Sequence, residues 1–333
     1  MNRGLTKKIF LVIVSLVIGF VICYYWLNQN IVLEKNPNCL GDSTLINPEP
    51  DCEFFNKKVV IMTSLQKNVE DDVSEYIKND QATRIGVFAR DLLSQRFIGV
   101  NDGDIFFMAS LLKLPILIGG YKLAEVEPQI LDVQIKYTDT INSYDEQTIK
   151  PIEKLENGKS YSVKELMQRA VIYSDNSAAK LLFDFYPKSF VDRILSALGL
   201  QLRNDGDVYE NPVTPRAYAN IFRILYNSSY LTRQYSNDSL DILAKSTYKE
   251  GALGKLPSNI LVAHKFGERT ISRGGKVLRQ LHDCGIVYLK NGDEPYTFCI
   301  MTEGTDFEKL KIIIQNISLD IFNHMNDSGS NTQ

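Results

Sequence analysis

The first feature of the hydrophobic pattern is one uninterrupted apolar block near the start of the chain. Residues 9–27 carry no charge, follow three basic residues and end in Tyr24, Tyr25 and Trp26. As a helix, this block of nineteen residues would be roughly 28 Å long, close to the thickness of the hydrocarbon core of a bilayer. The pattern predicts a transmembrane anchor, with residues 1–8 in the cytoplasm and the rest of the chain extracytoplasmic. A cleaved signal peptide is the alternative, but its apolar region is usually shorter and ends in small residues.

The segment that follows, residues 28–57, is polar and lacks a sustained period. It is rich in Asn, Pro, Asp and Glu, a composition typical of linkers. We therefore interpret it as a stalk between the membrane and a folded domain. Cys39 and Cys52 both lie in this stalk. Outside the cytoplasm they could form a disulfide, and the sequence leaves their pairing open.

Periodic patterns begin after residue 58. Apolar residues at helical spacing predict a first helix face: Leu65, Val69, Val73, Tyr76 and Ile77. Residues 84–91 and 97–101 are predicted to be strands. A long, mostly helical stretch follows, with helix-capping patterns at Ser162, Gly199 and Thr214.

The last third of the chain returns to strand patterns. Three apolar runs, residues 260–266, 284–289 and 296–302, precede a helix face that extends to Ile321. Strands therefore stand at both ends of the periodic region, with helices between them. We predict a mixed α/β fold of the α+β type, with one sheet built from both chain ends and an all-helical subdomain inserted at about residues 121–250. The folded domain would span residues 58–325, and residues 326–333 would form a disordered tail.

Composition narrows the possible functions. Lys plus Arg number 37 and Asp plus Glu number 40, and the resulting net charge of −3 argues against a nucleic-acid binder held by bulk charge. The three histidines are too few and too scattered for a His-based metal site, and the five cysteines form no C-x-x-C pair. The sequence has no dinucleotide-binding, P-loop, zinc-protease or nucleophile-elbow motif. We interpret Cys284 and Cys299, which lie on apolar runs, as buried free thiols.

Three S-x-x-K tetrads occur, and their surroundings differ. The tetrad that begins at Ser64 lies on a surface-type helix, and the one that begins at Ser177 lies on a helix just after a turn. Ser110 and Lys113, in contrast, lie in the apolar helix FFMASLLKLPILIGGY. Burial there would penalise the charged form of the lysine and lower its pKa. At i and i+3 the two side chains share one helix face, and a neutral amine beside a serine hydroxyl can act as its base. On the tetrad alone, a helix-start serine with a snorkelling lysine is the favoured alternative.

Two further motifs carry side chains suited to the same chemistry. An S-D-N motif begins at Ser174 between two helical runs, where a loop can present a hydroxyl and an amide to a cleft. A plain helix cap is the alternative. A K-F-G motif begins at Lys265 at the end of an apolar run, where a cation can hold a carboxylate and a glycine lets a ligand approach the backbone. An edge-strand lysine followed by a turn glycine is the alternative, and neither motif alone indicates a function.

Taken together and in this order, S-x-x-K, S-D-N and K-x-G resemble the signature of the penicillin-recognising serine enzymes, the family of class A β-lactamases and D,D-peptidases. Three further segments match: SLLKLP resembles the start of the nucleophile helix, NPVTPRAYANIF the segment after the omega loop, and CGIVYLKNGDEPYTFCIMTEG the closing strand pair. The resemblance covers roughly residues 60–325. It implies an antiparallel sheet formed by both chain ends with an inserted helical domain, in agreement with the fold predicted from the pattern.

The resemblance also implies a role for each matched residue. Ser110 would be the acylated nucleophile, and Lys113 its base or proton relay. Ser174 would pass a proton to the leaving nitrogen. Asn176 would bind the substrate amide, and Lys265 would help to bind the substrate carboxylate.

The same resemblance implies that Gly267 and Glu268 contact the substrate. The backbone N–H groups of Ser110 and Glu268 would form the oxyanion hole. Asp175 would have a structural role in orienting its loop. No metal and no organic cofactor are implied.

Three positions depart from the family pattern. Phe266 replaces the hydroxyl residue of K-T-G, and Cys284 stands near where many class A enzymes carry a carboxylate-binding arginine. The basic insertion 268–283 either returns a cation to the site or is a solvated hairpin. No E-x-x-L-N motif occurs in residues 198–214, so the usual deacylating carboxylate is missing. Of the nearby carboxylates, Asp205, Asp207 and Glu210, we take Glu210 as the candidate to replace it, and solvation of all three at the surface is the favoured alternative.

We therefore expect a membrane-anchored, extracytoplasmic serine hydrolase of the class A β-lactamase type, acting on a β-lactam or related cyclic amide through an acyl-enzyme at Ser110. The first alternative is a D,D-carboxypeptidase or transpeptidase acting on D-Ala-D-Ala peptides of the cell wall. The second is a catalytically weak surface protein that binds the wall. We expect a monomer with no nucleic-acid partner.

Overall fold

The computed structural model of the chain describes residues 45–47, 60–138, 147–200, 203–204, 209–273, 275–289 and 294–328. The predicted cytoplasmic segment and membrane span, most of the predicted stalk with Cys39 and Cys52, and the end of the tail lie outside these residues. Among the helices that are described, none has both the length and the hydrophobicity needed to cross a bilayer.

Five strands from both ends of the described chain form one sheet. They are β1 (Arg84–Asp91), β2 (Phe97–Val100), β9 (Leu261–Arg273), β10 (Lys276–Leu289) and β11 (Glu294–Gly304). Their order is β2-β1-β11-β10-β9, and every neighbouring pair is antiparallel. Both the strand at residues 84–91 and the sheet built from both chain ends are thus confirmed.

Three short strand pairs lie between the two halves of the sheet. They are β3 (Phe106–Phe107) with β8 (Pro212–Val213), β4 (Gln134–Lys136) with β5 (Ser160–Ser162), and β6 (Arg203–Asn204) with β7 (Tyr209–Glu210). The pairing of β3 with β8 ties the segment just before Ser110 to the segment just before Thr214.

The helices fall into two groups. The described helices are α1 (Thr63–Lys78), α2 (Lys113–Ala124), α3 (Val163–Ile172), α4 (Asn176–Phe185), α5 (Lys188–Ala197), α6 (Pro215–Tyr226), α7 (Arg233–Ala244) and α8 (Phe307–Ser328). The first and last pack together on one face of the sheet, and the six between them form the inserted subdomain on the other. The insertion therefore begins earlier than the predicted residue 121, because the helix of Lys113 already belongs to it.

Hydrophobic spacing explains why α1 and α8 cover the sheet. Leu65, Val69 and Val73 are buried in α1, whereas Ile77 is largely exposed, so the predicted helix face ends one residue early. In α8 the buried positions follow the same three-and-four spacing, from Leu310 onward. This helix extends to Ser328, so the predicted disordered tail begins within it.

The predicted caps of the inserted helices are present. The Ser162 side chain accepts a hydrogen bond from the Glu165 N–H at the start of α3, and the Thr214 side chain accepts one from the Ala217 N–H at the start of α6. Gly199 follows α5 with a φ of +74°, the left-handed conformation that glycine adopts without strain. These local signals set where the helices around the site begin and end.

Two sequence interpretations need correction. Leu45 and Ile46 lie in the predicted stalk, yet both are buried against the helical subdomain, and the Leu45 carbonyl accepts a hydrogen bond from the Tyr288 hydroxyl at 2.8 Å. An apolar pair in a polar segment gains free energy when it packs. The interpretation of Cys284 and Cys299 as free thiols is wrong, because the register of β10 and β11 places them directly opposite each other and they form a disulfide.

Candidate functional site

The Ser110 side chain lies at the start of a rigidly held turn. A 3₁₀ turn over Ala109–Leu112 continues directly into α2. Ala109 has a φ of +48°, a left-handed conformation that is costly for a residue other than glycine. Leu111 is fully buried, and its carbonyl accepts a hydrogen bond from the Tyr218 hydroxyl at 2.8 Å. Packing around Leu111 therefore holds Ser110 in position.

The Lys113 ammonium group lies at the centre of a network of hydrogen bonds. Its Nζ is 3.0 Å from Ser110 Oγ and 3.1 Å from Ser174 Oγ. It is also 2.6 Å from the Ser174 carbonyl oxygen and 2.6 Å from Asn176 Oδ1. Residues predicted from two separate motifs, S-x-x-K and S-D-N, therefore meet at one nitrogen atom.

The chemistry of these partners determines what a neutral Lys113 can do. A carbonyl or amide oxygen can only accept a hydrogen bond, so the Ser174 carbonyl and Asn176 Oδ1 each take one N–H of the amine. A neutral amine has two N–H groups and one lone pair. The lone pair is then left for a serine hydroxyl, and Ser110 Oγ is the nearer of the two that contact Nζ. The geometry favours Lys113 as a proton acceptor from Ser110.

Burial also prepares Lys113 for this task. The residue is only 4% exposed. Burial lowers its pKa from 10.5 to about 7, although the nearby carboxylates of Asp175 and Glu268 oppose the change. A large part of the Lys113 population is therefore neutral near pH 7.

The S-D-N motif supplies a bend between α3 and α4. Ser174 has a φ of +55° and is buried. Asp175 caps α4, since its Oδ1 accepts hydrogen bonds from the N–H groups of Ser177 and Ala178. The cap fixes the start of α4 and thereby turns the Ser174 hydroxyl and the Asn176 amide towards Lys113, which accords with the structural role expected for Asp175.

Lys265 approaches Ser174 from the opposite side. Its Nζ is 3.0 Å from Ser174 Oγ and donates to the Phe266 carbonyl at 2.8 Å. The side chain is fully buried, and burial together with the charge of Lys113 lowers its pKa well below the usual range. Ser174 Oγ thus lies between two lysine nitrogens, and a continuous path for protons connects Ser110, Lys113, Ser174 and Lys265.

Gly267 lets strand β9 lie close to the turn of Ser110. A Cβ at this position would lie 3.0 Å from Leu111 Cγ, 3.2 Å from Leu111 N and 3.2 Å from the Met108 carbonyl oxygen. Any side chain would force the strand and the turn apart. Glu268 follows on the strand, and its Oε1 accepts a hydrogen bond from the Ile149 N–H at 2.7 Å. The Glu268 side chain therefore holds the loop at Ile149.

Phe266 makes aromatic contacts in place of a hydroxyl group. Its ring centroid lies 4.1 Å from that of Tyr248, and Lys265 Nζ lies 4.0 Å from the Phe266 centroid. The basic insertion forms the extended β9–β10 hairpin, and a hairpin was one of the two alternatives that the sequence left open. Its Arg269 lies over the Phe107 ring at 4.7 Å, three residues before Ser110. A cation of this hairpin is thus close to the Ser110 segment.

The lysines of the other two S-x-x-K tetrads, Lys67 and Lys180, do not reach the site. Ser64 and Lys67 are exposed on α1, and Lys180 is exposed and paired with Asp184. Glu210 lies in β7 opposite Arg203, but its side chain is outside the described part of the chain. Across the described residues, no group of three or more His, Cys, Asp or Glu side chains is arranged to hold a metal ion.

One contact of the site was missed by the sequence. Gln147 Nε2 donates to the Ser174 carbonyl at 3.0 Å, the same oxygen that accepts from Lys113. Among the residues that the structure describes, Gln147 Oε1 is buried without a hydrogen-bond partner. No local sequence pattern marks this glutamine as a partner of Ser174.

Comparisons with known proteins agree with this arrangement. A model of the β-lactamase enzyme family matches residues 68–325. The β-lactamase VEB-1 of Pseudomonas aeruginosa is 25% identical over 288 residues, which cover 81% of this chain and 94% of that protein. A mutant of PBP-A, solved as an acyl-enzyme complex with penicillin G, aligns with 81% of this chain and 98% of its own at a TM-score of 0.67 and 20% identity. A class A β-lactamase from Mycobacterium abscessus aligns with 77% of this chain and 98% of its own at a TM-score of 0.65 and 22% identity.

Proposed function

The chain belongs to the β-lactamase enzyme family, and from this premise we propose that it is a serine hydrolase that β-lactams acylate at Ser110. The observation that carries the proposal is the hydrogen-bonded series Ser110, Lys113, Ser174 and Lys265. Such a series can move a proton from the nucleophile to a leaving nitrogen. An acyl-enzyme of a PBP-A mutant with penicillin G supports the substrate class by analogy.

In the proposed acylation, Lys113 takes the proton of the Ser110 hydroxyl while Ser110 Oγ attacks the carbonyl carbon of the lactam. The C–O bond forms, and the negative charge moves to the carbonyl oxygen, where N–H groups of the Ser110 turn and of β9 at Glu268 are available. The C–N bond of the ring then breaks. The Ser174 hydroxyl gives its proton to the leaving nitrogen, and Lys113 returns its proton to Ser174.

Substrate binding falls to groups around this series. Asn176 can contact the substrate amide with the N–H groups of its side chain, since its Oδ1 accepts from Lys113. Lys265 is proposed to hold the substrate carboxylate by a hydrogen bond from its amine, since its lowered pKa favours the neutral form, and Arg269 supplies a cation beside Phe107. Gly267 contributes by letting β9 lie close to the turn that carries Ser110.

Deacylation is a separate step with different requirements. In the described part of the chain, the partners of Lys113 are hydroxyl, carbonyl and amide oxygens rather than a carboxylate. Hydrolysis of the acyl-enzyme needs a base for water, and we propose Glu210 for that role. If Glu210 does not serve, the acyl-enzyme persists, as expected for a D,D-peptidase.

The proposal can be tested by intact-protein mass spectrometry of the full-length chain mixed with a penicillin and sampled over time. A covalent adduct that is absent in Ser110→Ala is the expected result. Ser64→Ala, which removes the exposed serine of another tetrad, should form the adduct at the wild-type rate. Adduct formation in Ser110→Ala, or no adduct with folded wild-type protein, would refute the proposal, and the second result would favour a wall-binding protein.

The fate of the adduct distinguishes the two enzymatic candidates. An adduct that forms and clears indicates a β-lactamase, and slower clearance in Glu210→Gln with unchanged formation would identify Glu210 as the base. An adduct that persists favours a D,D-carboxypeptidase or transpeptidase. Release of D-alanine from a D-Ala-D-Ala peptide would then establish that activity.

We further propose that this domain lies outside the cytoplasm, anchored by residues 9–27. The proposal rests on the uncharged span and the basic residues before it. Protease added to intact cells should digest the domain and leave a small membrane-bound fragment. Recovery of the intact chain in a soluble cytoplasmic fraction would contradict it.

A further inference from the structure

A second pocket lies between the sheet and the helical subdomain, lined by residues other than those of the Ser110 site. It has a volume of about 340 Å³ and lies between α6 and strands β1 and β11. Three arginines line it, Arg90, Arg216 and Arg223, with Thr214 and Asn220 as neutral polar neighbours. This volume is at the lower end of the range of small-molecule sites, which begins near ~300 Å³.

The charges of this arginine pocket are poorly balanced. Arg216 forms an ion pair with Asp102, whereas Arg223 donates to the neutral Asn220 side chain at 3.0 Å. Arg90 Nε is buried and lacks a hydrogen-bond partner within the described part of the chain. Among the described residues, one carboxylate thus faces three guanidinium groups.

The surroundings of Arg90 agree with an excess of positive charge. Burial lowers its pKa, and the like charges of Arg223 and Arg216 lower it further. A folded protein keeps repelling cations together at a cost in stability. An anion bound between them would remove that cost.

Two of the three arginines, Arg90 and Arg216, are held in place by aromatic rings. The Arg90 guanidinium lies 5.5 Å from the ring centroid of Phe88 and 5.7 Å from that of Phe97. The Arg216 guanidinium lies 4.8 Å from the Phe88 centroid and 5.1 Å from the Phe97 centroid. Rings engage the flat face of a guanidinium and leave its N–H edge for other partners. Paired N–H groups match the oxygens of a phosphate or carboxylate.

We propose that this arginine pocket binds a small oxyanion with at least two negative charges, of the phosphate or pyrophosphate class. At least two charges are needed because Asp102 neutralises only one of the three arginines. The pocket is separate from the Ser110 cleft, although α6 contributes to both: Arg223 faces the pocket, and Tyr218 holds the Leu111 carbonyl. Binding therefore does not depend on the proposed reaction.

The test is calorimetric titration of the full-length chain, in detergent, with pyrophosphate at constant ionic strength. We expect saturable binding that weakens roughly tenfold or more in each of Arg90→Gln and Arg223→Gln, since each removes a charged hydrogen-bond donor. Arg193→Gln removes one charge from the exposed face of α5 and should bind like the wild type.

Thermal melting separates binding from a purely structural role. Without pyrophosphate, Arg223→Gln should melt at the wild-type temperature or above it, because it relieves repulsion. With saturating pyrophosphate, it should melt below the wild type. Absence of saturable binding to the wild type, or binding to both pocket variants that is as tight as binding to the wild type, would overturn the proposal.

Discussion

The pKa of Lys113 leads to a quantitative prediction for the pH dependence of acylation. Lowering the pKa from 10.5 to about 7 means that charging Lys113 in the folded site costs about 5 kcal/mol more than in water. Only the neutral amine can accept the proton of Ser110. The acylation rate should therefore follow the neutral fraction of Lys113, which increases with pH.

The expected profile can be calculated from that pKa. The neutral fraction is about one tenth at pH 6, about one half at pH 7 and about nine tenths at pH 8. The second-order rate of adduct formation should increase about tenfold from pH 6 to pH 8 and then level off. If Lys113 had an ordinary pKa, the rate of adduct formation would instead increase roughly tenfold per pH unit up to pH 9.5.

The assay is the initial rate of adduct formation, measured by quenched intact-protein mass spectrometry between pH 5.5 and 9.5. Lys113→Met should lower the rate at least about a hundredfold at every pH. Lys180→Met changes the exposed lysine of another tetrad and should keep the wild-type profile. A rate that still increases tenfold per unit above pH 8, or one independent of pH between 6 and 8, would refute the role of Lys113 as base.

Three further predictions test the support of the site. Gly267→Ala should slow acylation about tenfold or more while the chain remains folded by circular dichroism, because its Cβ would push β9 away from Leu111; an unchanged rate would contradict the close approach. Asp175→Ala removes two hydrogen bonds from the start of α4 and should lower the free energy of unfolding in urea by about 1–3 kcal/mol. A decrease of less than a few tenths of a kcal/mol would exclude a capping role. Replacing both Cys284 and Cys299 by Ala removes the disulfide and should lower the free energy of unfolding by roughly 2–4 kcal/mol in the same measurement. If the two cysteines were free thiols instead, prior treatment of the wild type with reductant under denaturing conditions would leave its free energy of unfolding unchanged.

Part of this site could be predicted because short-range sequence patterns place some of its residues side by side. The i, i+3 spacing of Ser110 and Lys113 predicted their contact, which is 3.0 Å, whereas the choice between a buried and a snorkelling lysine needed the other two motifs. The strands at both chain ends likewise predicted a single sheet. The meeting of Ser174 with Lys265 required the family resemblance, since nothing local joins residues so far apart in sequence.

The features that escaped prediction depend on long-range register or on loops. The disulfide between Cys284 and Cys299 exists because the β10–β11 register sets them opposite each other, and two strands that are buried on both faces lack the apolar–polar alternation that would specify this register. Gln147 reaches Ser174 only through a loop without a periodic pattern. Leu45 and Ile46 lie in a segment without a sustained hydrophobic period, so no pattern marked them as buried, yet a short apolar pair gains free energy by packing on the core.

The two half-reactions depend on different parts of this chain. The groups proposed for acylation lie on a buried turn, at the start of a capped helix and on the edge strand β9, where Lys113 and Lys265 each have more than one hydrogen-bond partner. The deacylating carboxylate of class A enzymes belongs to a loop motif that is missing here. After acylation Lys113 is neutral again, but the Ser174 carbonyl and Asn176 still hold its two N–H groups, so its lone pair points at the ester oxygen rather than at a free water. Ser110 should therefore be acylated faster than the acyl-enzyme is hydrolysed, and Glu210→Gln measures how much hydrolysis depends on a carboxylate from that loop.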